Sequence, residues 1–344
     1  MKKIAVFFGG PGKEYEVSLS STASFLTHAS SDYQFVLIGV SREGVWLVGD
    51  YTIEEIKTDR WSQNLSCEEV VFAFSMARKL ITLSGVELFI DGAINLIHGS
   101  YGEDGTLSAL LNVLKIPYIG SDIESSSICF DKEILHRLFY RTNILMPNYQ
   151  VIHKGKPFKF SQIVDALALP FVVKPAREGS SYGVHLVRNE TDFHKAITDA
   201  FLYDNKLLLE EYISGQELGC AVMRSAGQYL IGDIDEIELQ RDIFDYEAKY
   251  QMVDAKIICP ARISEDIQMK IKQQAIDIFE QLDCKDFARI DFFLSNDGRL
   301  LLSEVNTIPG FTHNSRFPNM FNSRGINFST LIDKLLENLN NETY

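Results

Sequence analysis

The sequence has few of the features that mark secreted, zinc-binding or membrane-spanning chains. Its 344 residues include five cysteines, an odd number with no CxxC pair. This pattern argues against a disulfide framework and against a zinc site built on paired thiols. No run approaches the roughly 20 apolar residues that a membrane helix needs. We therefore expect reduced thiols and no membrane partner.

Positive charge is also scarce. Lys and Arg number 33 against 47 Asp and Glu, which gives a net charge of −14. A protein that binds the phosphate backbone of nucleic acid needs a basic face, so we expect no nucleic acid partner. The charge is still compatible with a small anionic ligand, because a few Lys and Arg side chains can gather at one site.

The first residues, MKKIAVFFGG, resemble the start of a signal peptide. The apolar run of about five residues is too short for the hydrophobic region of a signal, and Gly9 and Gly10 follow it at once. We interpret Ile4–Phe8 as a buried first β-strand and place the protein in the cytoplasm.

The length of the chain suggests two or three domains. Ile4–Phe8, a glycine loop and a helix over Glu16–Leu26 begin an open α/β sheet, whereas the later strands and helices form an α+β pattern. We predict an N-terminal α/β domain over 1–121, a central domain over 122–211 and a C-terminal domain over 212–344.

Four longer elements are predicted in the last two thirds of the chain. Apolar spacing predicts helices over Ser126–Arg141, Ser264–Leu282 and Ser329–Leu339, and a single strand over Tyr229–Leu239. The first of these helices would carry Lys132, and the strand would carry Asp235.

A predicted hairpin near the C-terminus brings two carboxylates together. Asp297-Gly298 is a favourable two-residue turn, so residue 296 faces 299 and Asp291 faces Glu304. Directly opposed carboxylates repel each other, and a cation should lie between them. Asp291, Glu304 and Asn306 supply the oxygens that Mg2+ prefers. The alternative is that Arg289 and a lysine neutralise a surface cluster. The spacing alone does not distinguish this interpretation from a Mg2+ site.

The same register predicts the two faces of the hairpin. Because side chains alternate along a strand, one face should be mostly apolar and should hold Ile290, Phe292, Leu294, Leu301, Ser303 and Val305. The other face should hold Phe293 with Leu302, beside the acidic pair. A three-residue turn would break this register.

A glycine- and serine-rich loop after a predicted strand is typical of a phosphate site. Lys174 ends the strand FVVK and the loop Arg177–Gly183 follows. Glycine lets backbone N–H groups approach phosphate oxygens, Ser180 and Ser181 add hydroxyl donors, and a lysine adds a point charge. Lys132, on a predicted helix, becomes a second candidate beside a Mg2+ site.

The glycines after the first strand have a different interpretation. Gly9, Gly10 and Gly12 could form a dinucleotide loop, which would make the protein an NAD-dependent oxidoreductase. The third glycine of the GxGxxG fingerprint is absent, so we do not favour this interpretation. His98, at the end of a predicted strand, is either a ligand-binding residue or an ordinary loop histidine.

Taken together, the motifs resemble the D-alanine–D-alanine ligases of the ATP-grasp superfamily. The resemblance runs from residue 3 to about residue 337. The matching segments, in order, are FFGGPGKEYEVSLSS, HGSYGEDGTL, FDKEILHRL, VVKPAREGSSYGV, FDYEAKY, ARIDFF and EVNTIPGFTHNSRFPNM. The resemblance implies a three-domain ATP-grasp fold with an N-terminal Rossmann-like domain.

The resemblance also implies a role for each matching residue. Glu14 would hold the ammonium of the first D-alanine, braced by Ser180 and Tyr250, with His98 beside this subsite. Arg289 and the backbone of Gly310 would stabilise the oxyanion, and Ser315 would contact the carboxylate of the second substrate. The ATP site would comprise Lys132, Lys174, Ser181, Glu210, Glu211, Glu217 and Lys249, with the lysines at the phosphates and with Glu210 and Glu217 at the adenine and ribose. The metal site would comprise Asp291, Glu304 and Asn306.

The implied reaction is a ligation through an acyl phosphate. ATP is a substrate, two Mg2+ ions (or Mn2+) assist, and D-alanine is joined to a second D-amino acid to supply the dipeptide of the peptidoglycan precursor. A lid over 241–251, with the glycine–serine loop, would exclude water. The family further implies a homodimer. Two rivals are another ATP-grasp carboxylate–amine ligase and a non-catalytic nucleotide-binding protein.

The second substrate is D-alanine or D-serine. Arg316 stands where the D-alanine enzymes usually carry leucine. Asp235 and Phe244 also resemble the vancomycin-resistance ligases that make D-alanyl–D-serine. A polar Arg316 could order a hydroxyl-bearing substrate through a neighbouring group or water. The pair Lys249-Tyr250 argues against a D-lactate ligase.

Overall fold

The computed structural model describes residues 1–74, 78–239 and 255–339. Phe244, Lys249 and Tyr250, together with the proposed lid over 241–251, lie outside the described residues. No helix in the described part of the chain is long and apolar enough to cross a membrane.

The first sheet has eight strands in the order β6-β5-β4-β3-β2-β1-β7-β8. Strands β2, β1, β7 and β8 run parallel, and the rest form an antiparallel extension. The parallel part confirms the predicted open α/β sheet. The strands are β1 (Lys2–Gly9), β2 (Tyr33–Val40), β3 (Trp46–Val48), β4 (Glu68–Val71), β5 (Lys79–Thr82), β6 (Glu87–Phe89), β7 (Gly92–Asn95) and β8 (Tyr118–Ile119), and the helices are α1 (Tyr15–His28), α2 (Ile53–Lys57) and α3 (Thr106–Val113).

The glycine loop after β1 turns the chain towards α1. Gly9 has φ +85°, and a Cβ there would lie 2.3 Å from the carbonyl oxygen of Val40, so a larger residue does not fit. The N–H of Gly10 donates to the same carbonyl at 2.8 Å. The loop therefore binds the neighbouring strand, and its geometry places Glu14 at the N-cap of α1.

The second sheet is antiparallel, in the order β11-β10-β12-β9. Its strands are β9 (Tyr149–His153), β10 (Phe171–Pro175), β11 (His185–Val187) and β12 (Lys206–Glu211), and the accompanying helices are α4 (Ile123–Phe130), α5 (Lys132–Phe139), α6 (Phe160–Leu167) and α7 (Glu190–Ala200).

The single helix predicted over Ser126–Arg141 is wrong, because the chain breaks at Asp131. Asp131 has extended backbone angles, and its side chain caps α5 by accepting from two backbone N–H groups of the first turn. Lys206 Nζ lies 2.6 Å from the Asp131 carboxylate and ties this cap to β12. The break starts α5 at Lys132, whose N–H donates to the carbonyl of Ala176 beside the glycine–serine loop.

The third sheet follows the order β16-β15-β13-β17-β18, with β14 paired to β13. Its strands are β13 (Gly215–Ser225), β14 (Gln228–Ile231), β15 (Asp235–Leu239), β16 (Ala255–Ile258), β17 (Phe287–Ser295) and β18 (Leu300–Asn306), and the helices are α8 (Glu265–Gln281), α9 (Arg316–Asn322) and α10 (Phe328–Asn338). The predicted helices over Ser264–Leu282 and Ser329–Leu339 are confirmed as α8 and α10.

The single strand predicted over Tyr229–Leu239 is wrong, because it divides into β14 and β15. The strand is interrupted at 232–234, where a Cβ on Gly232 would lie 2.8 Å from the Cβ of Met320 on α9. Both pieces pair with β13, but the register shifts by one residue, since Ile231 faces Val222 and Asp235 faces Gly219. Helix α9, which the sequence pattern did not predict, packs against β13 and starts at Arg316.

The C-terminal helices share a core with the first sheet. One apolar cluster contains Ile4 and Ile94 of the first sheet, Phe321 of α9 and Leu335 of α10, all fully buried. This packing carries the N-terminus of α9, and with it Ser315 and Arg316, to the edge of the candidate site.

Candidate active site

The hairpin of β17 and β18 holds the predicted acidic pair. Asp291 is paired with Glu304, and Arg289 with Asn306, as predicted. The predicted turn is wrong. Ser295 N–H donates to the carbonyl of Arg299, so the loop has three residues instead of two.

A β-bulge restores the predicted register. Near the loop, Leu294 faces Leu300, one residue out of the expected register. An irregularity between Asp291 and Phe292 inserts the extra residue Ser303, so that Asp291 still faces Glu304. The carboxylate pair was therefore predicted correctly from a turn that does not form.

The bulge also changes the two faces of the hairpin. Leu300 and Leu302 belong to the apolar core, together with Ile290, Phe292 and Val305. Leu301 and Ser303 were predicted on this face and are not part of that core; Ser303 lines a cavity with Phe293 instead. The prediction was wrong here because the side-chain alternation slips by one residue at the bulge.

The cavity on the polar side of the hairpin has a volume of about 290 Å3. Its wall combines the phosphate-type residues of the second sheet with the acidic residues of the third. The predicted site residues that line it are Lys132, Lys174, Ser180, Ser181, Glu210, Glu211, Glu217, Arg289, Asp291, Glu304 and Arg316. The predicted residues that are not among its described lining residues are Glu14, His98, Asp235, Asn306, Gly310 and Ser315.

The acidic pair lies within a network of cations and an amide. Arg289 Nε and Nη2 donate to Asp291 at 2.9 and 2.8 Å. Asn306 Nδ2 lies 3.3 Å from both Asp291 Oδ2 and Glu304 Oε1. The alternative interpretation is therefore partly right, because Arg289 does neutralise Asp291.

The same residues fit a hard divalent cation. In the described residues no three His, Cys, Asp or Glu side chains form a preformed metal cage. Mg2+ usually binds through one or two carboxylates plus substrate phosphates, and Asp291 with Glu304 offers such a pair on the cavity wall. Glu304 keeps 30% of its side chain exposed, which leaves its oxygens accessible.

Two lysines face the cavity from opposite elements. Lys132 Nζ donates to the carbonyl of Glu178 at 2.8 Å and lies 4.0 Å from Glu304 Oε2. Burial lowers the pKa of Lys132, and the charge of Lys174 lowers it further, against the attraction of Glu304. Lys174 Nζ lies 2.5 Å from Glu210 Oε2. Both positive charges therefore face the same cavity.

Glu14 contacts the glycine–serine loop, which lies far from it in the sequence. Ser180 Oγ hydrogen-bonds to Glu14 Oε1. A Cβ at Gly179 would lie 2.5 Å from Glu14 Oε2, so only glycine leaves room for this carboxylate. Ser180 and Ser181 have φ of +51° and +58°, a left-handed backbone that non-glycine residues seldom adopt. The predicted contact between Glu14 and Ser180 is thus present.

His98 is held by protein atoms on both sides of its ring. Nε2 lies 3.0 Å from Ser21 Oγ, and Nδ1 lies 3.0 Å from the carbonyl oxygen of Ile308. Its neighbour Gly99 would bring a Cβ to 3.2 Å from Glu14 Oε2. His98 therefore lies next to the Glu14 subsite, with both ring nitrogens in hydrogen-bond contact with protein atoms. Its contact with substrate stays a prediction.

Arg316 lies buried at the start of α9. Its Nε and Nη2 donate to Asp235 at 2.8 and 2.7 Å, and Nη2 lies 3.4 Å from Asp291 Oδ1. A Cβ at Gly219 would lie 2.3 Å from Nη2, so β13 accommodates the guanidinium only with glycine. Ser315, the N-cap of α9, accepts from the N–H of Thr312 at 3.1 Å.

Two family models match most of the chain. Residues 3–121 match the family model described as the D-ala D-ala ligase N-terminus, and residues 138–337 match the one described as the C-terminus. The chain belongs to the D-alanine–D-alanine ligase family. It is an ATP-dependent ligase, and the predicted ATP-grasp fold is confirmed.

Individual relatives cover nearly the whole chain. The D-alanine–D-alanine ligase of Oceanobacillus iheyensis is 35% identical over 98% of this chain and 94% of its own. The vancomycin/teicoplanin A-type resistance protein VanA of Enterococcus faecium is 34% identical, with 97% of both chains covered. The crystal structure of the VanG D-Ala:D-Ser ligase from Enterococcus faecalis has a TM-score of 0.89 and 35% identity, covering 98% of this chain and 99% of that one.

The structure adds residues of the ligase that the sequence interpretation missed. Glu178 lines the cavity, and His136 contacts Glu210. His136 follows Lys132 by four residues on α5, so the helical repeat could have placed both on one face. Glu178 lies inside the predicted glycine–serine loop, but nothing in the sequence spacing indicates that its pKa is raised.

We expect Glu178 to make ATP binding sensitive to pH. Burial and then the charge of Glu14 raise its pKa to about 7, against the opposing charges of Lys132 and Lys13. Glu178 is then mostly neutral well below pH 7 and mostly charged well above it, and its negative charge would oppose phosphates bound in the cavity. We expect the affinity for ATP with Mg2+ to fall a few-fold between pH 6 and pH 8, measured by titration calorimetry.

The variant Glu178→Gln should remove most of this pH dependence. The matched variant Glu211→Gln, which also changes a carboxylate on the cavity wall, should keep it. Equal pH dependence in wild type and Glu178→Gln would contradict the assignment.

Proposed function

We propose that this ligase joins D-alanine to D-serine, with ATP converted to ADP and phosphate. The main support is the buried pair of Arg316 and Asp235, which borders Asp291 at the cavity. The similar VanG enzyme is named a D-Ala:D-Ser ligase. D-Alanine as second substrate is the alternative, because the relative from Oceanobacillus iheyensis, equally identical, is named a D-alanine–D-alanine ligase.

We assign the ATP phosphates to Lys132, Lys174 and Ser181, whose positive charge and hydroxyl face one cavity. Both oxygens of Glu210 already have partners, so its part is to hold Lys174. We therefore place Glu211, instead of Glu210, with Glu217 at the adenine and ribose, and Lys249 keeps its predicted phosphate contact.

The first step transfers a phosphoryl group. A carboxylate oxygen of D-alanine attacks the γ-phosphorus, the bond to the β–γ bridging oxygen breaks, and ADP leaves. Glu14, braced by Ser180, holds the ammonium of this D-alanine, and Tyr250 keeps its predicted place there. Lys132 and Lys174 offset the negative charge of the transferred group.

The second step forms the peptide bond. The second substrate's ammonium first gives up a proton, and the neutral amine attacks the acyl carbon. The bond from that carbon to the oxygen shared with phosphorus breaks, and phosphate leaves with this oxygen and with the proton lost from the nitrogen. Arg289 and the backbone of Gly310 donate to the oxyanion. Ser315 binds the second carboxylate, whereas Arg316, Asp235 and Phe244 select the side chain.

Asp291, Glu304 and Asn306 would hold Mg2+, as two ions, with Mn2+ as an alternative. Bound there, the metal would supply Lewis-acid stabilisation of phosphate charge. Arg289 would share Asp291 with it.

We further propose that the ligase works in the cytoplasm, where ATP is available, as a homodimer that supplies the peptidoglycan precursor dipeptide. If D-serine is its substrate, it belongs with the vancomycin-resistance ligases. The domain limits at 121 and 211 stay a prediction; they are supported by the strands of the three sheets, which fall on either side of them.

Product analysis tests the proposal. Purified protein is given ATP, Mg2+ and D-alanine, with and without D-serine, and ADP release and dipeptide mass are measured. We expect D-alanyl–D-serine as the main product when both amino acids are present. D-Alanyl–D-alanine under both conditions would favour the alternative, and no D-alanine-dependent ADP would refute the ligase function.

A further inference from the structure

A buried histidine lies behind the lysine that faces the cavity. The side chain of His136, on α5, is 2% exposed. Its Nε2 lies 2.7 Å from Glu210 Oε1, whereas the other oxygen of Glu210, Oε2, lies 2.5 Å from Lys174 Nζ. Glu210 therefore contacts His136 and Lys174 with one oxygen each.

The position of the His136 ring is fixed by the sheet that carries Glu210 and Lys174. Its centroid lies 4.4 Å from that of Tyr149 on β9, and Tyr149 pairs with Glu210 across the β9–β12 ladder. Lys174 and Glu210 line the cavity, but His136 is not among the described lining residues. Glu210 therefore links His136 directly to the cavity wall.

We propose that His136 is a positioning residue for ATP binding: it holds one oxygen of Glu210, so that this carboxylate contacts Lys174 through its other oxygen and leaves the ammonium directed into the cavity. The inference rests on the proposed role of Lys174 in binding the ATP phosphates. It adds a residue that does not itself touch substrate.

The charge of Glu210 determines the direction of the hydrogen bond. Burial acts to raise the pKa of Glu210, but Lys174 and then His136 hold it at about 2. A carboxylate can only accept, so the Nε2–H of His136 donates. Without this donor, Oε1 would be buried and unpaired. The carboxylate would then gain by turning both oxygens to Lys174, which would neutralise the ammonium and draw it from the phosphates.

The test compares variants that remove and restore this donor. His136→Phe keeps a flat ring against Tyr149 and removes the donor. We expect its KM for ATP to rise about tenfold, with KM for D-alanine within twofold of wild type and kcat little changed. His136→Gln places an amide N–H near the position of Nε2 and should return KM for ATP to within about threefold.

A second histidine provides a matched control. Nε2 of His185 also lies 2.7 Å from a carboxylate, that of Asp199, but both side chains are about 40% exposed, and neither is among the described lining residues. His185→Phe should keep the wild-type KM for ATP. If His136→Phe does not fold, His136→Asn, whose shorter side chain does not reach Glu210, should show the same rise.

The outcomes separate this inference from the proposed function. Unchanged KM for ATP in His136→Phe and His136→Asn would refute the positioning role, and so would an equal rise in KM for ATP and D-alanine, which indicates a general structural loss. No D-alanine-dependent ADP release by wild type in the same assay would instead refute the proposed function.

Discussion

Replacing Glu304 with glutamine should lower kcat by about a thousandfold or more at saturating ATP and D-alanine. Glu304 faces Asp291 across the hairpin and lies on the cavity wall. Glutamine keeps the shape but loses the negative charge that a hard divalent cation favours. Metal ions contribute several kcal/mol to phosphoryl transfer, and each 1.4 kcal/mol is about tenfold in rate. ADP release over a Mg2+ titration measures the effect.

The fold of this variant should be unaffected. The Glu304 side chain is 30% exposed, and glutamine fills the same volume, so the melting temperature should stay within a few degrees of wild type. Asp297→Asn, at the exposed tip of the same hairpin, should turn over normally. Near-normal turnover by Glu304→Gln at every Mg2+ concentration would contradict the metal assignment.

Replacing Arg316 with leucine should destabilise the ligase strongly. Arg316 is 9% exposed and donates twice to Asp235, which is fully buried. Removing the cation leaves the carboxylate of Asp235 in the interior without this partner, whereas Asp291 keeps Arg289. Breaking a buried pair by one partner costs about 3–5 kcal/mol of unfolding free energy. Thermal melts should show a decrease of about 10 °C.

Two further variants identify the cause of that loss. Asp235→Leu combined with Arg316→Leu should regain most of the lost stability, because no buried charge is left unpaired. Arg299→Leu breaks an ion pair with Asp297 in which both side chains are about half exposed, and should lose less than about 1 kcal/mol. If Arg316→Leu alone is as stable as wild type, the pair of Arg316 and Asp235 is not needed for stability.

The same leucine variant bears on the second substrate. If Arg316 and Asp235 select D-serine, the ratio of D-alanyl–D-serine to D-alanyl–D-alanine should fall in Arg316→Leu, measured by product mass. Only folded enzyme makes product, so the expected loss of stability lowers the yield of both dipeptides and leaves their ratio unchanged. An unchanged ratio would show that other residues determine the selection.

The hairpin shows how far a local pattern can be extended. Asp291 and Glu304 were predicted to face each other from the Asp297-Gly298 turn, and they do. The turn itself has one more residue than predicted, and a bulge at Ser303 compensates for it. Turn propensity describes residues within a few positions, whereas a bulge depends on how the strand packs on its neighbours. The acidic pair and the core face of β17 were therefore predictable, but the core face of β18 between the bulge and the loop was not.

The helix and strand errors have the same origin. Apolar spacing continues through Asp131 and through Gly232, so the pattern predicts one element at each place. Asp131 breaks the helix because its side chain caps α5 and meets Lys206, 75 residues away. The strand is interrupted after Ile231, where Gly232 lies against Met320 of α9. Lys206 and α9 both lie outside the short stretch of sequence over which hydrophobic periodicity is evaluated.

The sequence by itself determined the family, the ATP-grasp fold and most charged residues of the cavity wall, because these depend on the order and spacing of motifs. The tertiary structure alone decided how the charges are paired. Glu14 meets Ser180 across 166 residues, Arg316 meets Asp235 across 81, and His136 meets Glu210 across 74. Which oxygen of a carboxylate is occupied, and which cation remains for a ligand, depends on distances of a few ångströms between segments remote in sequence. Those distances exist only in the folded chain.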